Sequence, residues 1–286
     1  MKALRRLLCA IALALMGASA VRADGPALRV VSQTVGTDEM LLALAEPAQI
    51  AALSTLSREA AYSATSEEAK HYPQLGRGDA ETILKYAPTL VLAANYSRPE
   101  LIEQVRRAGV RVIVFEHYDT LDDAYANLRI LGRELGPAAA ARAERIVADC
   151  QARVRALAEK LRDVAPVRVI APSTYGVIPG FATTFQDLCD HAAAINLAAT
   201  LGQLRGHAAP PNEQMLVWPI DKVVLPGANV ADAIGPYRTL PPYQFMPAVR
   251  ATHVALIDAY MISSVTHHRV DAYERLAREL HPEAFK

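Results

Sequence analysis

The stretch from residue 136 to residue 164 constrains the fold of this chain more than any other part of it. It opens with a proline at the position where a first helical turn tolerates one, Pro137, and continues through strong helix formers until Pro166. Apolar side chains recur at steps of three and four residues between Ile146 and Leu161, so one face is predicted to be buried. At about 1.5 Å per residue the helix would be roughly 40 Å long, more than one small domain needs. The stretch therefore predicts a rigid helix joining two lobes; an amphipathic core helix of a single α/β domain is the alternative.

The composition allows two lobes and argues against several classes of partner. With 286 residues, of which 52% are hydrophobic, the chain can form one large domain or two modest ones. Lysine plus arginine and aspartate plus glutamate number 30 each. No net charge is therefore available to attract nucleic acid or an anionic membrane surface.

The first 23 residues have the pattern of a cleavable secretory signal. Three basic residues lie within the first six, an apolar run covers residues 7–17, and small residues at 18–20 offer a cleavage site, with residues 21–23 as a second option. The apolar run is too short to span a membrane comfortably. The sequence therefore predicts export, with residues 1–23 removed and the mature protein in the periplasm.

Two cysteines, Cys150 and Cys189, remain after that removal. An oxidising compartment permits a disulfide between them without requiring one. Because Cys150 falls on the predicted buried face of the long helix, two buried free thiols are favoured over a bridge.

Both flanks of the long helix alternate short apolar strands with helices, which predicts parallel sheets built from right-handed βαβ units. The predicted strands cover residues 29–33, 50–54, 89–94 and 110–115 before the helix, and 167–171, 222–225 and 253–258 after it. A helix is predicted at residues 194–201, and loops at 57–78, 173–183 and 202–211. The expected fold is α/β, with two Rossmann-like lobes at residues 24–136 and 166–286, a backbone helix at residues 137–165 and a ligand cleft between the lobes.

The two halves share a local pattern around Glu81 and Glu213. Apolar residues follow each glutamate at offsets of two, three, ten and eleven positions. Each glutamate falls in the first turn of a short predicted helix, where a carboxylate is favoured by the helix dipole. From the residues alone, two ordinary helix-start glutamates explain the pattern better than a paired function does.

Five longer segments carry a resemblance to a known family. In chain order they are TDE at 37–39, GRGDAETILKYAPTLVLAA at 76–94, TTFQDLCDHAAAINLAA at 183–199, NEQMLVWPIDKVVL at 212–225 and HVALIDAY at 253–260. In this order, and with the long helix between them, they resemble the helical-backbone (class III) periplasmic binding proteins of ABC importers for ferric siderophores, haem and cobalamin. The resemblance covers nearly all of the predicted mature chain.

The resemblance implies a solute receptor, not an enzyme. It implies a monomer without a cofactor of its own, which carries a metal chelate to a permease dimer in the inner membrane. In the family, one glutamate on each lobe docks onto arginines of the permease, and the matching positions here are Glu81 and Glu213. We expect both carboxylates to be exposed, equally far from the cleft, and free of a basic partner within the protein.

A metal chelate presents flat apolar area with peripheral polar groups, so the cleft should offer aromatic side chains and a few donors. The predicted ligand-binding residues are Tyr62, Tyr72, Arg77, Tyr96, Tyr175, Phe181, Trp218, Tyr243 and Tyr260. Arg77 stands where the family's haem binders carry a tyrosine, and its guanidinium suits carboxylate or phosphate groups. Ferric siderophores and corrinoids therefore remain open as ligands, and haem ranks below them.

Two other functions stay open on the residues alone. A receptor for a bare transition-metal ion would need three or four ligands to converge, for which His117, His267 and His268 are candidates. An exported α/β enzyme is the second, although the sequence has no glycine-rich phosphate loop and no nucleophile-elbow pattern.

Overall fold

A computed structural model describes residues 27–286, so the predicted signal at residues 1–23 lies outside the described part. Two four-stranded parallel sheets form the centres of two lobes, and one long helix runs between the lobes. This arrangement confirms the predicted two-lobed α/β fold.

The first lobe is a parallel sheet with helices packed around it. Its strand order is β2-β1-β3-β4, with Val30 paired to Leu90 and Leu90 paired to Arg111. The strands are β1 (Val30–Ser32), β2 (Ile50–Ala52), β3 (Leu90–Ala94) and β4 (Arg111–Phe115); the helices are α1 (Val35–Leu44), α2 (Ser66–Ala69), α3 (Ala80–Leu84), α4 (Pro99–Arg107) and α5 (Leu121–Leu135). Strand β3 is buried throughout, as expected for a central parallel strand covered on both faces.

The second lobe repeats the plan after the long helix α6 (Pro137–Leu161). Its parallel sheet has the order β10-β9-β5-β7, and a separate antiparallel pair is formed by β6 and β8. The strands are β5 (Val167–Ile170), β6 (Ile178–Pro179), β7 (Ala194–Asn196), β8 (His207–Ala208), β9 (Lys222–Pro226) and β10 (Val254–Ile257). The helices are α7 (Thr184–His191), α8 (Leu197–Thr200), α9 (Asn212–Met215), α10 (Val230–Ile234), α11 (Pro247–Arg250) and α12 (Arg269–Leu280).

Helix α6 is continuous and belongs to the cores of both lobes. It starts directly after α5, because Gly136 takes a positive φ of 119° that reverses the chain in one residue. Its first half packs small residues closely on α5, where a side chain added at Gly132 would meet the Cα of Ala140 at 3.0 Å. Its second half buries Leu157 and Leu161 in the same core cluster as the second lobe. One core therefore runs through the helix from lobe to lobe.

Two arginines of α6 fix the helix to the lobes. Arg142 donates from Nη1 to Glu46 Oε1 at 2.8 Å and from Nε to the Leu44 carbonyl at 2.9 Å, at the end of α1. Arg153 donates to Glu274 Oε1 at 3.0 Å and to Asp271 Oδ1 at 2.6 Å, on α12. The helix is thus held by charged groups at one position in each lobe, in addition to its apolar face.

Three details of the predicted elements are wrong. Residues 194–201 are not one helix: strand β7 comes first and the short helix α8 follows, so the edge strand of the second sheet was missed. The loops predicted at 173–183 and 202–211 pair as β6 and β8. Helix α6 ends at Leu161, one turn before the predicted boundary at residue 165.

Both cysteines after the predicted signal, Cys150 and Cys189, are buried and free. This agrees with the preference for two thiols. Burial raises the pKa of each thiol, Cys150 to about 11 and Cys189 well above its ordinary value. Neither is therefore a thiolate at neutral pH.

Candidate ligand-binding cleft

A cavity opens at the carboxyl ends of three parallel strands in the first lobe. Side chains that follow such strands converge at one edge of a sheet, which is where α/β proteins bind ligands. The cavity has a volume of about 390 Å³ and is lined by Gln33, Thr34, Val35, Ser54, Thr55, Leu56, Tyr96, Ser97 and Arg98. Thr34, which caps α1, and Tyr96, which comes soon after β3, bring hydroxyl groups to its wall.

Tyr96 presents the largest aromatic surface of this wall. The residue is 57% exposed, and its ring stands edge-on to that of Tyr118, with the centroids 5.5 Å apart. The Tyr118 hydroxyl donates to Asn95 Oδ1 at 2.7 Å, which holds that second ring in place. Desolvation of its hydroxyl raises the pKa of Tyr96, so Tyr96 is a hydrogen-bond donor at neutral pH.

The rim of the first-lobe cavity carries Arg98. Arg98 donates to the Gly78 carbonyl at 3.1 Å, which holds the backbone that follows the exposed Arg77 at this rim. Among residues 27–286, neither guanidinium forms a salt bridge with a carboxylate. The rim can therefore bind an acidic group without first breaking an ion pair.

A second cavity, of about 380 Å³, lies at the carboxyl ends of strands in the second lobe. Tyr175 stands on its wall and is 90% exposed, the largest exposure of any large hydrophobic side chain in the described chain. The lining is mainly apolar and comprises Ala171, Pro172, Ser173, Thr174, Tyr175, Val177, Pro179, Phe185, His207, Pro226, Tyr237, Ile262 and Ser263. The Tyr237 hydroxyl donates to the Pro172 carbonyl at 3.1 Å, which anchors the loop that carries Tyr175.

The lobes touch between the two cavities. Val35 lines the first cavity and Ser263 lines the second. The next residue after Val35 is Gly36, where an added side chain would come within 2.4 Å of Val265 Cγ2. Close by, the Thr266 hydroxyl donates to Glu39 Oε2 at 2.6 Å across the lobes. The two cavities are therefore the opposite walls of one cleft, and this seam is its floor.

Two adjacent carboxylates, Asp38 and Glu39, are buried beneath the cleft. Asp38 accepts hydrogen bonds from the Ser54 amide, at 3.1 Å, and from the Ser54 hydroxyl. Glu39 accepts from the Ala64 amide at 2.8 Å, besides Thr266. Burial raises the pKa of Asp38 to about 7 despite its hydrogen bonds to Ser32 and Ser54, and the charge of Glu39 acts in the same direction.

Asp38 should make the protein lose stability as pH rises from about 4 to about 7. The unfolded-state pKa of an aspartate is about 3.9, whereas the folded-state pKa of Asp38 is about 7. The folded state therefore holds the extra proton in this window, so each rise in pH favours unfolding. Asp38→Asn stays neutral, so at about pH 8 we expect it to exceed the wild type in unfolding free energy by on the order of 2–4 kcal/mol.

Urea denaturation of both proteins between about pH 5 and pH 8 measures this difference. Every other titrating group is common to the two proteins, so their difference isolates Asp38. Parallel pH profiles for the variant and the wild type would show that Asp38 is already ionised at the low end of the window.

The structure brings together some of the predicted ligand-binding residues and leaves others apart. Tyr96 and Tyr175 line the two cavities. Arg77 and Phe181 line neither, although both are exposed and each comes within two residues of a wall residue or of its hydrogen-bond partner, Pro179 for Phe181 and Gly78 for Arg77. Tyr62, Tyr72, Trp218, Tyr243 and Tyr260 line neither cavity.

These five residues have other surroundings. Tyr62 is exposed on a surface loop, and Tyr72 and Tyr260 pack against the main core. Trp218 packs against the core of the second lobe. Tyr243 is only 2% exposed, with its ring edge-on to Tyr237, so it has no surface to offer a ligand in this structure.

Several lining residues were missed because they are small or polar. Gln33, Ser54 and Ser97 contribute polar atoms to the first wall, and His207 contributes an imidazole to the second. The signal that could have found the first group is position: each comes within a few residues of the end of a parallel strand. His207 is exposed on strand β8, which was not predicted.

The two glutamates, Glu81 and Glu213, occupy equivalent positions in the lobes. Each is the second residue of a short helix, α3 or α9, and each is exposed. The expectation that both lack a basic partner is wrong for Glu81, which forms a salt bridge with Lys85 at 3.0 Å. Lys85 is four residues later, the spacing at which helical side chains meet. Within residues 27–286, Glu213 has no such partner.

In the part of the chain that the structure describes, no three histidine, cysteine, aspartate or glutamate side chains are placed to hold a metal ion. The rings of His267 and His268 lie with their centroids 4.2 Å apart and their planes tilted by 34°, but among the described residues no third ligand joins them in a metal-binding geometry. From residue 27 onward, none of the helices has the length and apolar character needed to cross a membrane.

Known structures share this fold at low sequence identity. The chain is similar to the periplasmic heme-binding protein RhuT from Roseiflexus sp. RS-1 in apo form, with 23% identity, a TM-score of 0.77, and coverage of 90% of this chain and 99% of that one. It is also similar to the periplasmic heme-binding protein HutB of Vibrio cholerae, with 20% identity, a TM-score of 0.74, and coverage of 89% of this chain and 99% of that one. The periplasmic vitamin B12 binding protein BtuF of Vibrio cholerae is 18% identical, with a TM-score of 0.71 and coverage of 91% of this chain and 99% of that one. No curated protein matches the sequence.

A family model described as "Periplasmic binding protein" matches residues 30–261, which includes both sheets and the whole of α6. Membership of a solute-binding family agrees with the prediction that the chain is not an enzyme. The chain belongs to the periplasmic binding protein family, in the form that joins its two lobes through one long helix.

Proposed function

We propose that this chain is the periplasmic solute-binding subunit of an ABC importer, which captures a metal chelate between its lobes and delivers it to a permease dimer. The single observation that carries the proposal is the composition of the cleft. One wall presents Tyr96 and Arg98, with the exposed Arg77 next to the glycine that Arg98 contacts, and the opposite wall presents Tyr175 at an apolar cavity. In the described chain neither arginine forms a salt bridge. Aromatic faces suit a large flat ligand, and free guanidinium groups suit acids at its edge.

The arginine rim favours a chelate with anionic groups at its periphery. Arg77 and Arg98 can each bind a carboxylate or a catecholate oxygen with two parallel hydrogen bonds. Ferric siderophores of these classes fit the rim. Haem fits it as well through its two propionates, and two of the similar structures are haem-binding proteins by description. A corrinoid has mainly neutral amide groups at its periphery, so it gains the least from ionic hydrogen bonds to the arginines. We therefore rank ferric siderophores and haem ahead of cobalamin.

A bare metal ion is a poorer fit to this cleft. The described residues supply no group of three ligands, and the wall of the second lobe is mainly aromatic and aliphatic. In the proposed function the metal is cargo inside an organic chelate, and the protein contacts the organic periphery.

Delivery requires a surface that the permease recognises in the loaded protein. Glu81 and Glu213 are proposed as the docking carboxylates, one on each lobe, because they occupy equivalent helix positions and are exposed. Since α6 is bonded into both lobes, the distance between the glutamates should change by only a small amount on ligand capture.

Titration of the mature protein with a panel of ligands tests the proposal. The panel is haemin, cyanocobalamin, ferrichrome, a ferric catecholate siderophore, and Fe³⁺ and Zn²⁺ as simple salts, followed by quenching of intrinsic fluorescence. We expect saturable one-to-one binding of at least one chelate at micromolar concentration or below, typical of a specific pocket. Binding of a simple metal salt in preference to every chelate, or turnover of any panel member, would contradict the proposed function.

A further inference from the structure

We propose that the two lobes dock unequally on the permease, and that the second lobe, through Glu213 and the exposed Val217 beside it, forms the stronger contact. The proposal rests on the docking role given to the glutamates above. It adds an order of strength, and a cause for that order in this chain's own residues.

The two docking helices share the placement of the glutamate and of a buried anchor. Glu81 and Glu213 are each the second residue of their helix, and two residues later Ile83 and Met215 are both fully buried. The residue four places after each glutamate, Lys85 or Val217, lies in the turn that ends the helix.

In the first lobe that fourth position is Lys85. Its Nζ lies 3.0 Å from Glu81 Oε1, and both side chains are well exposed, at 67% and 82%. A basic side chain of a partner must therefore displace Lys85, and it then lies close to a like charge. The carboxylate of the first lobe is partly neutralised before docking begins.

In the second lobe the equivalent position is Val217, which is 83% exposed. Leu216 next to it is 36% exposed, so two exposed apolar side chains follow the carboxylate within four residues. Within the described chain, Glu213 has no cation to lose. A permease loop that carries an arginine or lysine with an apolar neighbour satisfies both features: it pairs with the carboxylate and removes the valine from water.

A matched exchange of the fourth residue tests this difference. Lys85→Val gives the first lobe the surface of the second, and Val217→Lys gives the second lobe the surface of the first. Both positions are exposed, and melting temperatures of all variants check that they fold. Glu81→Ala and Glu213→Ala complete the set.

Docking is measured on right-side-out inner-membrane vesicles from source cells that lack the gene. Unlabelled variants compete with fluorescein-labelled wild-type protein, so neither the permease nor the chelate needs to be identified beforehand. Contacts of this type contribute unequally to affinity, so we expect Glu213→Ala and Val217→Lys to compete about tenfold more weakly than wild type. On the same grounds, the competing concentration of Glu81→Ala should be within about threefold of that of the wild type, and Lys85→Val should compete several-fold more strongly than the wild type.

The outcomes separate the two levels of the proposal. If labelled wild-type protein shows no saturable binding that unlabelled protein displaces, the importer function fails and this inference fails with it. If binding is saturable but Glu81→Ala weakens it as much as Glu213→Ala, or Lys85→Val weakens it, the importer function stands and the unequal docking is overturned.

Discussion

Replacing Arg269 by methionine is expected to lower the unfolding free energy by about 3–5 kcal/mol, the usual cost of removing one partner from a buried ion pair. Arg269 is 2% exposed and donates to Asp187 Oδ2 at 2.9 Å, within the second lobe. It also donates to the carbonyls of Tyr118 at 2.7 Å and Asp119 at 3.0 Å, which belong to the first lobe. A third carbonyl acceptor, at 3.1 Å, belongs to Ser264, so the substitution leaves a buried carboxylate and three carbonyls without this donor.

The same change should alter the cleft as well as the stability. Tyr118 contacts the ring of Tyr96, and the Tyr118 carbonyl accepts a hydrogen bond from Arg269.

The melting temperature of Arg269→Met should be about 6–20 °C below that of the wild type, since 1 kcal/mol corresponds to roughly 2–4 °C for a chain of this size. Thermal and urea unfolding of the purified variant measure the effect.

Arg129→Met is the matched control for Arg269→Met. Arg129 also pairs with an acid through two hydrogen bonds, to Glu144 at 2.9 and 3.0 Å, but the pair lies on the surface. Removing a surface pair of this kind costs less than about 1 kcal/mol. Adding Asp187→Asn to Arg269→Met should restore part of the lost stability, because it removes the uncompensated charge. Equal losses for Arg269→Met and Arg129→Met would show that the buried arginine does not hold the lobes together.

Replacing Tyr96 and Tyr175 by alanine is expected to weaken chelate binding by about 10-fold to 100-fold for each residue. Each change removes an aromatic contact whose burial contributes about 1.5–3 kcal/mol, and every 1.4 kcal/mol is about tenfold in affinity. Because the two rings stand on opposite walls, the double variant should lose the product of the two effects. Fluorescence titration with the tightest chelate of the panel measures the dissociation constants.

Tyr62→Ala serves as the control for the aromatic walls. Tyr62 is 55% exposed, close to the 57% of Tyr96, but it lines neither cavity. Its removal should leave the dissociation constant within about twofold of the wild-type value, as for most surface positions. Tyr96→Phe keeps the ring and tests the hydroxyl alone. An effect of Tyr62→Ala as large as that of Tyr96→Ala would mean that the ligand does not lie between the two cavities.

The architecture could be predicted because it is encoded in local patterns. The helical periodicity between Ile146 and Leu161 predicted α6, and continuous apolar runs predicted strands β3 and β9. The structure contains all three elements. The salt bridge of Glu81 was also predictable from its spacing to Lys85, and was overlooked. Strand β7 was missed because three residues leading directly into a helix show no period of their own.

The cleft could be predicted only in part, because its composition depends on contacts between distant segments. From the sequence alone, Tyr96 and Tyr243 are equally good candidates for ligand contact, yet Tyr96 is 57% exposed and Tyr243 only 2%. Arg269 has the sequence appearance of a solvated first-turn residue, but it contacts segments about 80 and 150 positions away. Such placements follow from the packing of the lobes on α6, which no local pattern records.

Uptake of a radiolabelled chelate by source cells that lack the gene tests the central claim most directly, namely that one rigid two-lobed protein first captures a chelate and then docks. The account predicts that the wild-type gene restores uptake and that two double variants do not, for opposite reasons. Tyr96→Ala/Tyr175→Ala should fail to bind chelate in solution yet still compete for the vesicles. Glu81→Ala/Glu213→Ala should bind chelate with wild-type affinity yet compete for the vesicles more weakly than either single variant. Undiminished uptake without the gene, or loss of chelate binding in the glutamate variant, would contradict it.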